Sequence, residues 1–304
     1  MTLHDRSLAE ERRGRLKALL AEGRSIRAIE VHNPLSAMIG GTASLAAPDG
    51  TNKEFDALWL SGFTNATARA LPDAELARFE RRLESVQEIA AATSKPLIAD
   101  GDTGGDALAF QYLCARLEAL GVSLVIVEDK VFPKRSSLAP GVRHELEDPA
   151  AFTAKIAKAK EVLRSGEMLI FARIESLIAG AGQDDALTRA RAYLGSEADG
   201  IVIHSKDETG EEIFAFMQAY ERLCEETGRV KPLVCIPTAY NFVTDEELFE
   251  RGASIVIHAN HQLRAAYKAM ARVCATILEH DRSREADELC ATLPELFETI
   301  GTGE

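Results

Sequence analysis

The residues able to do chemistry in this 304-residue chain begin with acids. Asp100 and Asp102 stand two apart where an apolar run ends, and Glu128 closes the next run. If the backbone stays extended through Asp102, both aspartates point to one side. Neighbouring strands lie about 4.8 Å apart, so three carboxylates could surround one point, an arrangement that needs a cation. Oxygen donors suit Mg2+ or Mn2+, and Mg2+ keeps several waters while taking one or two carboxylates plus substrate. Asp-x-Asp alone also fits a turn or a helix cap, but joined to Glu128 it favours a metal. Arg173 and His204 close two later runs and are expected on the far side of the site from those acids. A guanidinium offers parallel donors to a phosphoryl or carboxylate group, and a histidine one or two more, so the pair could form an anion-binding wall. Taken singly, Arg173 fits an ion pair with Glu175, and His204 a histidine satisfied in a loop. Ser61-Gly62-Phe63 follows another run and could turn consecutive N–H groups toward a carboxylate, with Gly62 allowing close approach. Lys130 and Lys134 lie in the segment 128–138, which carries Pro133 and two serines and reads as a loop able to close over the site. Read alone, that segment is a solvated basic turn.

Such residues need elements to carry them. Short runs rich in Val, Ile and Leu recur between longer stretches with helical periodicity, the rhythm of alternating strands and helices. Strands are predicted over 26–31, 57–60, 96–100, 124–128, 168–173, 200–204, 233–237 and 254–258. Helices are predicted near 74–92, 107–120, 148–164, 184–194, 210–226 and 245–251, with a long one after Asn260. Eight β/α alternations at this length favour a closed (β/α)8 TIM barrel over an open sheet. Runs such as Leu124-Val125-Ile126-Val127 fit strands buried on both faces. Any one polar strand end is only a strand meeting a loop. Acids, bases and hydroxyls at most of the ends together read as a site, at the edge where barrel active sites are built. A helix over 7–22, with Leu8, Leu16, Leu19 and Leu20 available for an apolar stripe, is expected to plug the barrel floor or pack on a subunit. The end of the chain reads as a short helical extension, so residues 1–304 form one domain.

Composition narrows the function. The chain is 46% hydrophobic, enough for a large core. With 35 basic against 48 acidic residues and a net charge of -13, it is a poor partner for nucleic acid or an anionic membrane. An anionic substrate would then need a local group of cations or a metal. Cys114, Cys224, Cys235, Cys274 and Cys290 include no CxxC pair, which points to neither a zinc site nor a disulfide framework. The N-terminus has no apolar signal core and no run reaches bilayer-spanning length. A cytoplasmic enzyme with a small-molecule substrate is expected.

The stretch Glu128-Asp129-Lys130-Val131-Phe132-Pro133-Lys134-Arg135-Ser136-Ser137 resembles the signature of the phosphoenolpyruvate mutases, which reads Glu-Asp-Lys, five residues, then Asn-Ser. The likeness extends through His32-Asn33-Pro34-Leu35-Ser36, Ser61-Gly62 with Asp73 beyond it, Asp100-Gly101-Asp102-Thr103-Gly104, Ala172-Arg173-Ile174-Glu175, Ile203-His204-Ser205-Lys206 and Ala259-Asn260-His261-Gln262-Leu263. It implies a barrel of the isocitrate lyase/PEP mutase type with an exchanged C-terminal helix, assembled as a homotetramer or homodimer. It also implies Mg2+-assisted interconversion of phosphoenolpyruvate and phosphonopyruvate. Carried over by position, Asp100 holds Mg2+ with Asp102 and Glu128 assisting through water. Ser61, Gly62 and Phe63 seat the pyruvyl carboxylate, and Arg173, His204 and Ser137 hold the phosphoryl group. Lys134 belongs to a gating loop, and Asp73 is a catalytic carboxylate or one standing behind the site.

Ser136 departs from the family asparagine. A hydroxyl is shorter than an amide and admits water, and the phosphonopyruvate hydrolases, which resemble the mutases, carry a threonine there. Phe63 and Pro237-Thr238-Ala239-Tyr240 also resemble hydrolases, whereas the insertion at 53–56, the run 100–105 and the segment 284–287 resemble the biosynthetic mutases. These features favour a mutase, with hydrolysis to pyruvate and phosphate as the alternative. A C–C lyase of the isocitrate lyase type is disfavoured because residues 133–137 lack its cysteine, and a non-catalytic binding protein because the acids, Arg173 and His204 are all present.

Overall fold

The computed structural model describes residues 7–47, 50–76, 79–137, 139 and 141–301. Leu138 at the end of the expected loop and residues 77 and 78 of the expected helix 74–92 lie outside these. Strands β1 (Ile26–Val31), β4 (Ala57–Leu60), β5 (Leu97–Asp100), β6 (Leu124–Glu128), β7 (Leu169–Ile174), β8 (Gly200–Ile203), β9 (Leu233–Cys235) and β10 (Ile255–His258) are all parallel. They close into a barrel with β10 beside β1 and β1 beside β4. The expected barrel is therefore the fold. An antiparallel hairpin, β2 (Ser44–Ala46) with β3 (Asn52–Glu54), stands outside it and was not predicted. Its strands are three residues long and exposed, so they carry no buried alternation to read. The helix Pro34–Thr42 was also unforeseen, although Asn33 caps it by accepting the Ser36 N–H at 2.8 Å and Pro34 opens it.

Side-chain alternation along the strands decides what faces the mouth. Ile26, Ala28, Trp59, Ile98, Leu124, Ile126, Leu169, Phe171, Val202, Val234 and Ile257 form one buried cluster, the barrel interior. Their chain neighbours, among them Leu58, Ala99, Val125, Ile170, Ile201 and Val256, pack instead with the surrounding helices. Continuing the inward set by two residues points Ser61, Asp100, Glu128, Arg173 and His204 into the top of the barrel.

The floor is sealed from the N-terminal side. The helix expected over 7–22 is two, Ala9–Arg13 and Arg15–Ala21, meeting at Gly14. Leu16 is fully buried in the interior cluster, with Leu19 and Leu20 packed against it, while Leu8 is exposed. Arg12 donates to Gly121 O at 3.2 Å, Leu120 O at 2.9 Å and Ala90 O at 3.1 Å, satisfying carbonyls at the C-terminal ends of two barrel helices.

The other end of the chain is open. In the helix His261–His280 only Leu263 is buried, and Tyr267, Met270 and Leu278 are exposed. A groove of ≈ 680 Å³ lined by Ile29, Leu45, Phe55 and His258 runs beside β1 and β10. A 3-10 turn, Arg284–Leu289, and the helix Leu293–Ile300 complete the extension. Among the described residues no helix is long and apolar enough to cross a membrane.

Candidate active site

The mouth of the barrel holds a buried lattice of charges. β6 and β7 pair with Glu128 beside Arg173, so the two side chains share a face and form an ion pair through Nη2. Arg173 Nε lies 2.6 Å from Glu175, and Nη1 lies 3.7 Å from Asp100. This corrects the expectation that Arg173 faces the acids from across the mouth: adjacent strands with matching alternation place it among them.

Glu175, just beyond β7, is the hub. It takes His204 Nδ1 at 3.0 Å, Lys130 Nζ at 3.1 Å and the Ser137 hydroxyl at 3.0 Å as well as Arg173. Burial opposes its ionisation, but the Arg173, Lys130 and His204 charges overturn that and hold its carboxyl well below the usual range. Burial also pulls the His204 imidazole down, against the attraction of Glu175. With Nδ1 committed to Glu175, the other ring nitrogen is left for a ligand. Asp129 fixes the hub from behind by accepting the Glu175 N–H at 2.9 Å.

Asp100 accepts the Gly62 N–H at 3.0 Å through Oδ2 and the Asp102 N–H at 3.0 Å through Oδ1. A Cβ on Gly62 would collide with Asp102 Oδ1 and lie 3.2 Å from Asp100 Oδ2, so glycine is required here by close approach. Gly62 thus supports Asp100 with its N–H, and Ser61 and Phe63 are the neighbours that line the cavity. Asp102 is not extended as expected but has φ 49°. The turn swings its carboxylate to Arg82, on the helix Phe79–Ala90, and to Lys134 at 2.7 Å. Burial would raise this carboxyl, but the Arg82 and Lys134 charges outweigh it and hold it well below its ordinary value.

The segment after β6 is a lid in place. Val131 N–H donates to Glu145 O at 2.9 Å, and Lys130 and Leu146 form a bridge that ties the lid to its return segment. Lys130, Lys134 and Ser137 turn inward and are buried while Val131 and Phe132 face out, so the reading as a solvated basic turn does not hold. Lys134 Nζ sits 3.0 Å from Asp73, and its N–H donates to Glu75 at 2.7 Å. Glu75 also accepts from Thr103 N–H at 3.0 Å and from its hydroxyl at 2.8 Å.

Beneath the lid is a cavity of ≈ 50 Å³. Ser61, Phe63, Asp73, Asp100, Lys134, Ser136, Ser137, Arg173 and His204 all line it, so nine of the expected residues converge. Gly62, Asp102 and Glu128 stand behind that lining. Trp59, Ile236, Thr238 and Asn260 line it too and were not among the expected site residues. Trp59 and Ile236 could have been found from the inward alternation of β4 and β9. Arg82 and Glu75 had no such signal, because one sits on a helix and the other in a turn at φ 53°.

Among the described residues no three His, Cys, Asp or Glu side chains make a ready cage for a metal. The donor set nevertheless fits a hard divalent ion that keeps water. Asp100 faces the cavity with its carboxylate, and Glu128, ion-paired to Arg173 and 3.6 Å from Lys130, stands behind it where it would reach such an ion through water.

Comparison with known proteins agrees with this construction. A phosphonopyruvate hydrolase from Variovorax sp. (strain Pal2) is 38% identical over 288 residues, covering 94% of this chain and 93% of its own. A crystal structure of a phosphoenolpyruvate phosphomutase from Streptomyces platensis subsp. rosaceus superposes with a TM-score of 0.84 at 34% identity, covering 94% of each chain. A phosphonopyruvate hydrolase in complex with oxalate and Mg++ gives 0.83 at 36% identity, covering 95% of each. The family model for phosphoenolpyruvate phosphomutase matches residues 16–278, nearly all of the barrel and its mouth, and the chain belongs to that family.

Proposed function

We propose that this chain breaks the C–P bond of phosphonopyruvate with Mg2+ bound at Asp100, and that water accepts the phosphoryl group to give pyruvate and phosphate. What turns the reading from the mutase expected from the sequence toward hydrolysis is that Ser136, a hydroxyl where the family signature has an amide, itself lines the cavity with Asp100, Arg173, His204 and Ser137. When bound, Mg2+ supplies charge stabilisation for the enolate oxygen that forms as the C3–P electrons flow toward C2. Ser61 and Phe63 would seat the pyruvyl carboxylate. Arg173 and His204 would hold the phosphoryl oxygens, their positions preset by Glu175 so that little reorganisation accompanies the reaction. Lys134 and Asp73 close the site beside Ser136, whose short side chain leaves room for water. Water's oxygen would bond phosphorus, its proton passing to a cavity base such as Asp73, and C3 would regain a proton to give pyruvate.

The second reading is the mutase, in which the enol oxygen takes the phosphoryl group and yields phosphoenolpyruvate. The run Asp100-Gly101-Asp102-Thr103-Gly104-Gly105 favours it. Chain length does not choose between them, since the solved mutase and hydrolase are covered equally well. Incubation with phosphonopyruvate and MgCl2, followed by 31P spectra and coupled pyruvate assay, tests both. Inorganic phosphate with equimolar pyruvate supports hydrolysis, phosphoenolpyruvate supports the mutase, and no loss of phosphonopyruvate rejects both.

We further propose a homotetramer or homodimer in which the helix His261–His280 of one copy lies in the groove beside β1 and β10 of another. The exposed Tyr267 and Met270, together with that groove, support the exchange.

A further inference from the structure

Lys134 lines two cavities. One is the catalytic cavity; the other, of ≈ 480 Å³, lies on the outer side of the lid against the return segment 141–145. Its walls carry Lys130, Lys134, Arg135, Arg143 and His144, with Glu145 as the one acid among them. Lys130 and Lys134 are committed to acids of the active site. Among the described residues, however, the Arg135 and Arg143 guanidinium groups have no ion pair or hydrogen bond. His144 Nδ1 is buried and lacks a hydrogen-bond partner.

In a chain of net charge -13 most of the surface repels anions, so a concave wall with free guanidinium groups is where they collect. Both arginines are exposed, but they stand on the walls of one concavity with the His144 ring, so that a single anion there would meet two guanidinium groups at once. Arg135 belongs to the lid, and Arg143 and His144 belong to the segment the lid is tied to. One anion between them would therefore join the outer edge of the lid to its base.

We propose that this outer cavity is a second anion site. It takes a tetrahedral oxyanion of the phosphate or phosphonate class, gripped by the Arg135 and Arg143 forks beside the His144 ring, and its occupation holds the lid shut. The site rests on these side chains and not on which acceptor the reaction uses.

Inorganic phosphate titrated into the full chain by calorimetry, with trypsin cleavage after exposed Arg135 as a second readout, tests the proposal. Arg143→Ala should weaken phosphate binding by about tenfold or more, the loss of one charge-assisted hydrogen-bonded fork. Wild-type protein should be protected from cleavage by phosphate, and the variant should not. Arg143 is exposed, and an unchanged melting temperature without phosphate would show that the variant folds. Phosphate affinity and protection equal in wild type and Arg143→Ala, as expected if the ion sat only at Arg173 and His204, would overturn the proposal. Absence of any phosphate binding by the wild type would overturn it too.

Discussion

Asp100 is the carboxylate that faces the cavity while being held by two backbone N–H groups, and its removal tests the proposed metal directly. Asp100→Ala should lower kcat by about 10³-fold or more, the scale of several kcal/mol of lost enolate stabilisation, while circular dichroism stays native. A rate within a few-fold of wild type would remove Asp100 from the reaction. Ser136→Asn should raise the ratio of phosphoenolpyruvate to pyruvate formed from phosphonopyruvate, because an amide fills space a water could use. An unchanged ratio, read by 31P spectra, would mean that another residue sets the acceptor. At this scale the sequence was legible wherever a functional group continued the inward alternation of a strand, as Asp100, Glu128, Arg173 and His204 do. It misled at Asp102, where one residue in the left-handed region redirected the carboxylate, and at Arg173, where strand adjacency rather than residue type decided the partner.

The lid depends on elements that lie far apart in sequence. Glu75, in the turn after Asp73, holds both the Lys134 N–H and Thr103. Glu75→Ala removes about 2 kcal/mol of hydrogen bonding between lid and barrel, roughly thirtyfold in the closed population. Faster proteolysis within 130–137 and a matching fall in kcat/KM are expected; a lid as protected as in wild type would show that other ties suffice. The barrel strands were readable because each is a short apolar run with a polar end, and predicted and observed bounds differ by at most two residues. The exposed hairpin was not readable, since nothing buried disciplines its pattern. The helix expected to start at 74 is described over Phe79–Ala90, and residues 73–75 form instead the turn that sets Glu75 against the lid.

For the molecule as a whole, the helix His261–His280 is long, amphipathic and almost unburied in its own chain. Tyr267→Glu combined with Met270→Glu should shift the assembly toward smaller species in light scattering, and the dependence of melting on protein concentration expected of an oligomer should weaken. An assembly that keeps its mass would place the subunit contact elsewhere. The opposite end of the barrel carries a practical consequence. The family match begins at residue 16, so a polypeptide trimmed to that boundary would keep Leu16 but lose Arg12. Such trimming pulls the clasp off the cork: three carbonyls from two helices would face a void at the barrel base, and the shortened enzyme would be a poor stand-in for the intact one in any measurement of heat tolerance.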